Sequence, residues 1–445
     1  MVTESATLKN SFQEPFRTLQ ESQTAAAPSW LRRLRENAMA RFEEVGFPTT
    51  KDEEWKYTNV APIARTGFTP LPSDETSTLD DFASLGISET RDSQLVFVNG
   101  RLRDDLSSLT ALPAGVIALD LSRALADKRY AEIAREYLAR HADFVASGFT
   151  AINTAFINHG AFVYIPRGIT VEVPLHVLFI SDPTEPNKLT SPRVLLIAEE
   201  NSNTTLIESY VSAHDAPYLT NAVVEVVLKD GARLEHYKVQ REGAQAFHIA
   251  TTAADLGASS SYDTTTITFG AQLSRHDIHV TMDHEGAECW VDGLYLVTAA
   301  QHTDTHSVID HRKPHCTSRQ LYKGILDGKS RAVFNGKIFV RHDAQKTDAM
   351  QTNKNLLLSN EARVDTKPQL EILADDVKCA HGAAVGQIEE DELFYLETRG
   401  IHSDLARNLL TYGFAEEVIG KIKIESIRSQ LDEAVLNRLN ARLEA

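Results

Sequence analysis

Short stretches of alternating apolar and polar side chains dominate the middle of the chain. In the clearest stretch, 171–177, the odd-numbered residues are Val, Val, Leu and Val, and the even-numbered ones are Glu, Pro and His. This two-residue period is typical of β-strands with one buried face. Residues 151–395 contain no long helical pattern, so this region is predicted to be a sandwich pair, a propeller or a β-solenoid. Further stretches that predict strands are 194–197, 205–211, 223–228, 234–239, 294–297, 337–340 and 370–373.

A repeated pattern favours the solenoid. In each copy a turn and a small residue precede a strand-like stretch, and the copies begin at Gly231, Gly257, Gly286, Lys329 and Glu361. The spacings of 26, 29, 43 and 32 residues are too irregular for a propeller but suit solenoid coils with loops of variable length. We therefore predict a β-helix core over 151–395. Its two open sheet edges must be covered by helices or paired with another chain.

The residues before the β region have a helical pattern. After a capping Ser29, apolar side chains recur at three- and four-residue steps from Leu31 to Phe42. Within the charged stretch 50–59, Trp55 is predicted to be an aromatic anchor. We assign 29–150 to an N-terminal helical domain and predict that 1–28 is a flexible arm.

The C-terminal residues 396–445 are predicted to be a helical region that docks a partner. From Ser403 onward, apolar residues again recur at helical spacing. Such stripes usually face the protein's own core, but a tail that follows an elongated solenoid has little core to join. The stripe predicted to contact the partner contains Leu405, Leu409, Phe414 and Val418.

Composition narrows the functional classes. The chain has 45 Lys and Arg against 62 Asp and Glu, a formal charge of −17, which disfavours binding to nucleic acid and to anionic membranes. No stretch is apolar for long enough to span a membrane. Its 3 cysteines include no C-x-x-C pair, and the N-terminus resembles neither a signal peptide nor a transit peptide. These features predict a cytoplasmic protein.

Residues 324–330 resemble a phosphate-binding loop but are predicted not to bind ATP. Gly324 and Gly328 are separated by three residues, whereas the motif requires four. The segment also precedes a strand-like stretch and not the helix whose N-terminal amides would hold the phosphates.

Two groups of residues are candidates for metal chemistry. Seven of the sixteen histidines lie between His276 and His315. Because this stretch has a strand pattern, we expect their rings to point outward without converging on a metal. Cys379 and His381 are two residues apart, so on a strand they share a face and place a thiolate beside an imidazole. Two donors do not complete a site, and the remaining ligands would have to come from elsewhere, most simply from another chain.

Several long stretches carry a family resemblance. Residues 47–59, 317–359, 365–386 and 393–401 resemble the SufB/SufD family, the scaffold subunits of the SUF iron-sulfur assembly system. Residues 345–355 contain no cysteine. The SufB branch carries its assembly cysteine there, so the chain resembles the SufD branch.

This resemblance implies a right-handed parallel β-helix flanked by N-terminal and C-terminal helical domains. It implies a non-catalytic scaffold that pairs with SufB and binds the ATPase SufC, with a transient iron-sulfur cluster shared with SufB. His381 and Cys379 match the residues that contact this cluster in the family. Reduced flavin has been associated with the complex, but we find no flavin motif in this sequence. Two alternatives from other classes are a carbohydrate-active β-helix enzyme and a histidine-metal enzyme.

Overall fold

The computed structural model describes residues 12–21, 27–71, 85–183 and 185–441. Its core is a parallel β-solenoid, in which successive long strands belong alternately to two sheets, so each strand pairs with the strand two positions further along the chain. This confirms the predicted parallel β-helix. The first sheet contains β4 (Ile117–Asp120), β5 (Gly160–Ile165), β8 (Arg193–Ala198), β10 (Tyr218–Leu228), β12 (Phe247–Leu256), β14 (Leu273–Met282), β16 (His302–His311), β18 (Arg331–Val340) and β20 (Arg363–Ile372). In the same sheet, β7 (Lys188–Thr190) pairs with β10, and β1 (Thr69–Pro70) pairs with β7.

The second sheet is likewise parallel from β2 to β21. Its strands are β2 (Gln94–Val98), β3 (Arg101–Leu102), β6 (Leu175–Ser181), β9 (Asn203–Ser212), β11 (Arg233–Glu242), β13 (Ser261–Gly270), β15 (Glu288–Val297), β17 (Thr317–Leu326), β19 (Asp348–Leu357) and β21 (Lys378–Gly386). The predicted strand stretches lie in these strands, with two differences at their ends. For 171–177, β6 begins only at Leu175, directly after Pro174, which lacks a backbone N–H, and for 370–373, β20 ends at Ile372.

The coils are more regular than the sequence repeat suggested. From β9 to β21 the strands of the second sheet begin at 203, 233, 261, 288, 317, 348 and 378, so each coil is 27 to 31 residues long. The first three sequence repeats precede β11, β13 and β15 of the second sheet, whereas the last two precede β18 and β20 of the first. The spacing of 43 residues therefore marks a change of sheet. The prediction of loops with variable length was wrong for these coils.

The helices that flank the solenoid are α1 (12–21), α2 (Ser29–Val45), α3 (Ala61–Thr66), α4 (Leu121–Ala126), α5 (Lys128–Tyr137), α6 (Gly148–Ala155), α7 (Glu390–Thr398), α8 (Ser403–Ile419) and α9 (Glu425–Ala441). The N-terminal helices pack on the outer face of the first sheet, where Met39, Phe42 and Trp55 join Phe247 and Ile249 of β12 in one apolar cluster. The predicted N-terminal region also supplies strands β1 to β4, so it is not exclusively helical.

Part of the predicted flexible arm is folded. Phe12 of α1 is 1% exposed, and its ring lies 5.4 Å from that of Phe42 and 6.2 Å from that of Phe47, both edge-on. This aromatic cluster fixes 12–21 against the N-terminal helices, so the prediction fails for these residues. Residues 1–11 and 22–26 of the arm lie outside the described part of the chain.

The C-terminal helices pack on the outer face of the second sheet. Val418 and Ile419 of α8 and Ile427 of α9 belong to one apolar cluster with Tyr237 and Val239 of β11. The expectation that this tail has little core to join was therefore wrong. The sheet offers an apolar outer face, and the helices cover it.

The two ends of the solenoid differ. At the end nearer the N-terminus, β3 pairs antiparallel with β2 through a turn at Asn99 and Gly100, and β4 pairs antiparallel with β5. Both turn residues have positive φ, 53° and 79°, as the tight Asn-Gly hairpin requires. At the other end, within the described residues, β20 pairs only with β18 and β21 only with β19. We call these the closed end and the open end.

Candidate functional site

Strand β21 carries the candidate residues Cys379 and His381 on the last coil, at the open end. The parallel register places Cys379 beside Ala349 and His381 beside Gln351 of β19. The two residues share the strand face that looks into the solenoid, as their spacing predicted. Because no further coil follows among the described residues, this interior face meets solvent, and His381 is exposed.

Cys379 is the more enclosed of the two. Its side chain is partly buried and packs against the apolar interior of the solenoid. Burial raises the pKa of its thiol, so the group is protonated at neutral pH and must lose its proton before it can bind a metal. His381 is exposed, which makes it the more accessible donor of the two.

Around these residues the outer edges of β20 and β21 have no neighbouring strand among the described residues, and large apolar side chains are exposed. Beyond β20 and β21, no strand of the described chain uses their outer hydrogen-bonding groups. Pro368 lies within β20, and proline in a sheet is confined mainly to edge strands because it cannot donate a hydrogen bond. The exposed large apolar side chains on these last coils are Met350, Ile372, Leu373 and Val385, which are 48%, 40%, 62% and 46% exposed.

The described residues contain no group of three or more His, Cys, Asp or Glu side chains that could hold a metal ion. Cys379 and His381 therefore form at most half of a four-ligand site. Completing such a site would need donors from another molecule.

The histidines between 276 and 315 were expected to point outward, and this is wrong for two of them. His276 lies on the interior face of β14, where its Nε2 is 2.9 Å from the Thr252 hydroxyl. His311 lies on the interior face of β16, with its Nε2 2.9 Å from the Ser318 hydroxyl. Burial lowers the pKa of His311 to about 4, so its ring is neutral at physiological pH. These rings serve as hydrogen-bonding members of the core.

Two other histidines of this segment hold the N-terminal region against the first sheet. His302 lies 2.8 Å from the Thr58 hydroxyl, and His306 pairs with Glu54 at 3.3 Å and with Asp304 at 3.1 Å. Burial alone would lower the pKa of His306, but the two carboxylates outweigh it and raise the pKa to about 9. The hydrogen bond from His306 lowers the pKa of Glu54 to about 2. We call Glu54, Asp304 and His306 the outer ion cluster.

The prediction that Trp55 is an aromatic anchor is confirmed. Trp55 is 9% exposed, and the guanidinium carbon of Arg275 lies 3.7 Å from the centroid of its ring. Arg275 also donates to the backbone carbonyl of Glu54 at 2.7 Å and to Asp304 at 2.7 Å. The charged neighbours of Trp55 therefore fasten the N-terminal region to β14 and β16.

The solenoid interior contains an ionic cluster that the sequence analysis missed. Glu208 pairs with His236 at 3.4 Å, and Glu242 pairs with His248 at 2.7 Å. Lys238 lies 2.8 Å from the other nitrogen of His248, and burial lowers the pKa of Lys238 to about 8. The signal was present in β11, where polar residues occupy alternate positions, but such alternation is ordinarily assigned to a solvated face.

The structure explains why residues 324–330 do not form a phosphate-binding loop. Gly324 lies inside β17, and an added Cβ there would be 2.1 Å from the ring of Tyr295, so this glycine makes room for a core side chain. Lys329 pairs with Glu361 at 3.4 Å, and the segment leads into β18 and not into a helix. That the chain binds no ATP stays a prediction.

The four residues predicted to dock a partner divide into two pairs. Leu405 and Leu409 are exposed, at 51% and 46%. Phe414 is partly buried against the cluster on the second sheet, and Lys323 donates to its backbone carbonyl at 2.8 Å. Val418 is fully buried in the same cluster. Phe414 and Val418 therefore contact the solenoid, and only the first pair remains free for a partner.

Comparison with known proteins agrees with this architecture. The SUF system FeS cluster assembly SufBD core domain matches residues 179–414, and the SufBD protein N-terminal region matches residues 6–177. The chain belongs to the SufBD family. The match thus covers the N-terminal helices, the solenoid with its open end, and part of the C-terminal helices.

Individual SufBD relatives match over nearly their whole length. An iron-sulfur cluster assembly SufBD family protein of Synechocystis is 35% identical over 413 residues, which cover 90% of this chain and 89% of the relative. The iron-sulfur cluster assembly protein SufD of Escherichia coli is 32% identical, with coverage of 89% and 90%. The Bacillus subtilis SufD is 28% identical, with coverage of 91% and 93%. Among the described helices, none is long and apolar enough to cross a membrane.

Proposed function

We propose that this chain is a SufD-type scaffold that pairs with the family's SufB subunit through its open end, where a nascent iron-sulfur cluster is assembled. The cluster is the cargo of the complex, and His381 and Cys379 bind it from this side. The observation that carries the proposal is that the last coil, whose strands β20 and β21 have no further strand of the described chain beside them, also presents this imidazole and thiol. The chain itself catalyses no reaction in this role.

The open end suits a second solenoid. Unpaired backbone N–H and C=O groups on β20 and β21 can continue both sheets into a partner, and Leu373 and Val385 supply apolar contact beside them. Two ligands from each chain would complete four-fold coordination of iron only when the chains are together. Because the ligands separate when the interface opens, the cluster can then be handed to a recipient protein.

A second partner, the ATPase SufC, binds the C-terminal helices in this proposal. Phe394 and Tyr395 of α7 are 66% and 57% exposed, and they add to the uncovered Leu405 and Leu409 of α8. Large exposed apolar side chains on neighbouring helices are typical of a docking surface. A groove of about 450 Å³ lies between α8 and the ends of β19 and β21, so a partner bound there would be close to the open end.

The remaining parts of the proposal concern the surroundings of the complex. ATP is bound by SufC and not by this chain, and a reduced flavin, if the complex uses one, is bound elsewhere in it. The net charge of −17 opposes binding to nucleic acid and to anionic membranes. We place the complex in the cytoplasm.

The test is to reconstitute the three-protein complex with single variants of the full chain and to quantify iron and acid-labile sulfide. We expect His381→Ala to reduce cluster yield by about tenfold or more, as loss of one of few ligands should, without a change in folding or complex size. Cys379→Ala should reduce it less. That order rests on the family resemblance. Ligand softness alone would predict the opposite order, because a thiolate is the softer donor for iron.

The matched control is His342→Ala. His342 is also a surface histidine, with its side chain 84% exposed in the turn before β19, but it lies outside the last coil. Its variant should assemble clusters at the normal yield. Normal yield from the His381 variant would refute the proposed role of the open end and leave the chain as a structural partner.

A further inference from the structure

A row of polar side chains runs through the solenoid interior towards His381. The Gln320 amide donates to the Ser307 hydroxyl at 2.8 Å, and the Gln351 amide donates to the Gln320 carbonyl oxygen at 2.7 Å. All three residues are at most 3% exposed. In register, Gln320 of β17 lies beside Gln351 of β19, and Gln351 lies beside His381 of β21. The row therefore ends at the candidate site.

The opposite sheet leaves room for Gln351. A Cβ added to Gly336 of β18 would lie 2.2 Å from Gln351 Nε2 and 2.8 Å from its Cδ. Any side chain at residue 336 would therefore displace the Gln351 amide from its present position. Gly336 and Gln320 together fix the orientation of the Gln351 amide, because its Nε2 donates to the side-chain oxygen of Gln320.

The other half of the Gln351 amide has no partner. Its Oε1 is buried and accepts no hydrogen bond from any residue that the structure describes, although the whole side chain is only 1% exposed. Buried acceptors are nearly always satisfied, so an unsatisfied one requires an explanation. The next side chain along the row is His381, whose ring carries an N–H donor.

We infer that Gln351 is a positioning residue for His381. Its side-chain oxygen accepts the N–H of one ring nitrogen when His381 turns inward, and the other nitrogen then carries no proton and faces the open end. A histidine binds metal through its unprotonated nitrogen, and a hydrogen bond at the other nitrogen selects that tautomer and fixes the ring plane. The assignment of iron as the bound metal rests on the proposed function, whereas the hydrogen bond does not.

The test measures the tautomer of His381 directly in the full-length chain. The protein is labelled with ¹⁵N in its histidine rings, and the His381 signals are identified as those missing from His381→Ala. Gln351→Met keeps the size of the side chain but removes the acceptor, so the tautomer ratio should change about five- to tenfold, the effect of one hydrogen bond. Gln351→Glu keeps an acceptor and should preserve the original tautomer.

The matched control is Asn353→Leu. Asn353 lies on the same strand and the same interior face, is fully buried, and donates to the Tyr322 carbonyl, but its register neighbour is Ala383. This variant removes a comparable polar core group without touching the row that ends at His381. Its His381 signals should match those of the unmodified chain. If Gln351→Met fails to fold, Gln351→Asn replaces it, since the shorter amide keeps its polarity but loses reach.

Two measurements separate this inference from the proposed function. An unchanged His381 tautomer in a folded Gln351→Met or Gln351→Asn chain would overturn the positioning role, whatever the cluster yield of the His381 variant. A changed tautomer, restored by Gln351→Glu, would establish the role even if His381→Ala assembled clusters normally and the proposed function failed. With both ideas correct, Gln351→Met should also lower cluster yield severalfold, and Asn353→Leu should not.

Discussion

The two ends of the solenoid are built from the same kind of strand but present opposite surfaces. At the closed end, Phe179 is stacked between Phe97 and Tyr210, with ring centroids 5.1 Å and 5.2 Å apart, and a hairpin finishes the sheet. At the open end, the interior face of β21 holds Cys379 and His381, which no further coil covers among the described residues. Removing large buried side chains destabilises a protein, whereas exposed ones contribute little. The closed end therefore stabilises the fold, and the open end is available for assembly.

The largest expected effect is at the closed end. Phe179→Ala should lower the free energy of unfolding by about 4 kcal/mol, because it removes the middle ring of the interior stack and leaves a cavity. Val385→Lys at the open end should change it by less than about 0.5 kcal/mol, because Val385 is 46% exposed. Urea denaturation measures both values.

Association gives the reverse order for the same two variants. Val385→Lys should prevent pairing with SufB in size-exclusion chromatography, because it places a charge beside the unpaired edge. Phe179→Ala, where it remains folded, should pair normally. Equal losses of stability from the two variants would contradict the distinction between the ends.

A second prediction applies the same distinction to the C-terminal helices. Val418→Asp should destabilise the chain by about 3 kcal/mol, because it buries an unpaired charge in the apolar cluster on the second sheet. Leu409→Asp, at an exposed position nine residues earlier on the same helix, should leave stability nearly unchanged and weaken binding of the ATPase. Unfolding and pull-down assays on both variants check this, and normal ATPase binding by Leu409→Asp would argue against docking at α8.

The smallest expected effect concerns the outer ion cluster, which holds the N-terminal region on the first sheet. Because the pKa of His306 is raised to about 9, the protonated ring contributes stability that is fully present below about pH 6.5 and is lost as pH rises to 9. Between pH 6.5 and pH 9 we expect the free energy of unfolding to fall by about 2 kcal/mol more in the native chain than in His306→Gln. The variant lacks the titrating ring, so the pH dependence that His306 causes should vanish in it.

Hydrogen exchange shows where this pH effect acts. Amides of the N-terminal segment around Glu54 should exchange faster at pH 9 than at pH 6.5 after correction for intrinsic rates, while those of β2 and β6 at the closed end should not. The difference between the native chain and His306→Gln isolates the outer ion cluster from other titrating groups, such as the buried Lys238. A pH dependence that persists in the variant would assign the effect to those groups instead.

Much of the fold was predictable because local periodicity reports local geometry. The strand stretches, the helical stripe from Leu31 to Phe42 and the shared face of Cys379 and His381 all follow from side-chain directions along one element. The spacing of 43 residues was wrongly attributed to a longer loop. The first three copies precede strands of the second sheet and the last two precede strands of the first, and the sequence alone does not say which sheet a strand joins. The inward position of His276 was missed for a similar reason, since a strand pattern does not say which face is inside.

Strand β11 shows where the sequence stops determining the structure. The residues of this strand alternate, so the sequence by itself determined that one set of side chains faces one way and the other set the opposite way. In the middle of the strand, Lys238 belongs to a polar set, whereas Tyr237 and Val239 of the other set are apolar, which predicts that the face with Tyr237 and Val239 is inside. Tertiary structure decided the reverse: Lys238 and Glu242 lie in the solenoid interior, where ion pairs satisfy them, and Tyr237 and Val239 face outward under the C-terminal helices. The physical reason is that both faces of the sheet are buried, and which of them meets another strand or a helix depends on residues that lie almost two hundred positions further along the chain.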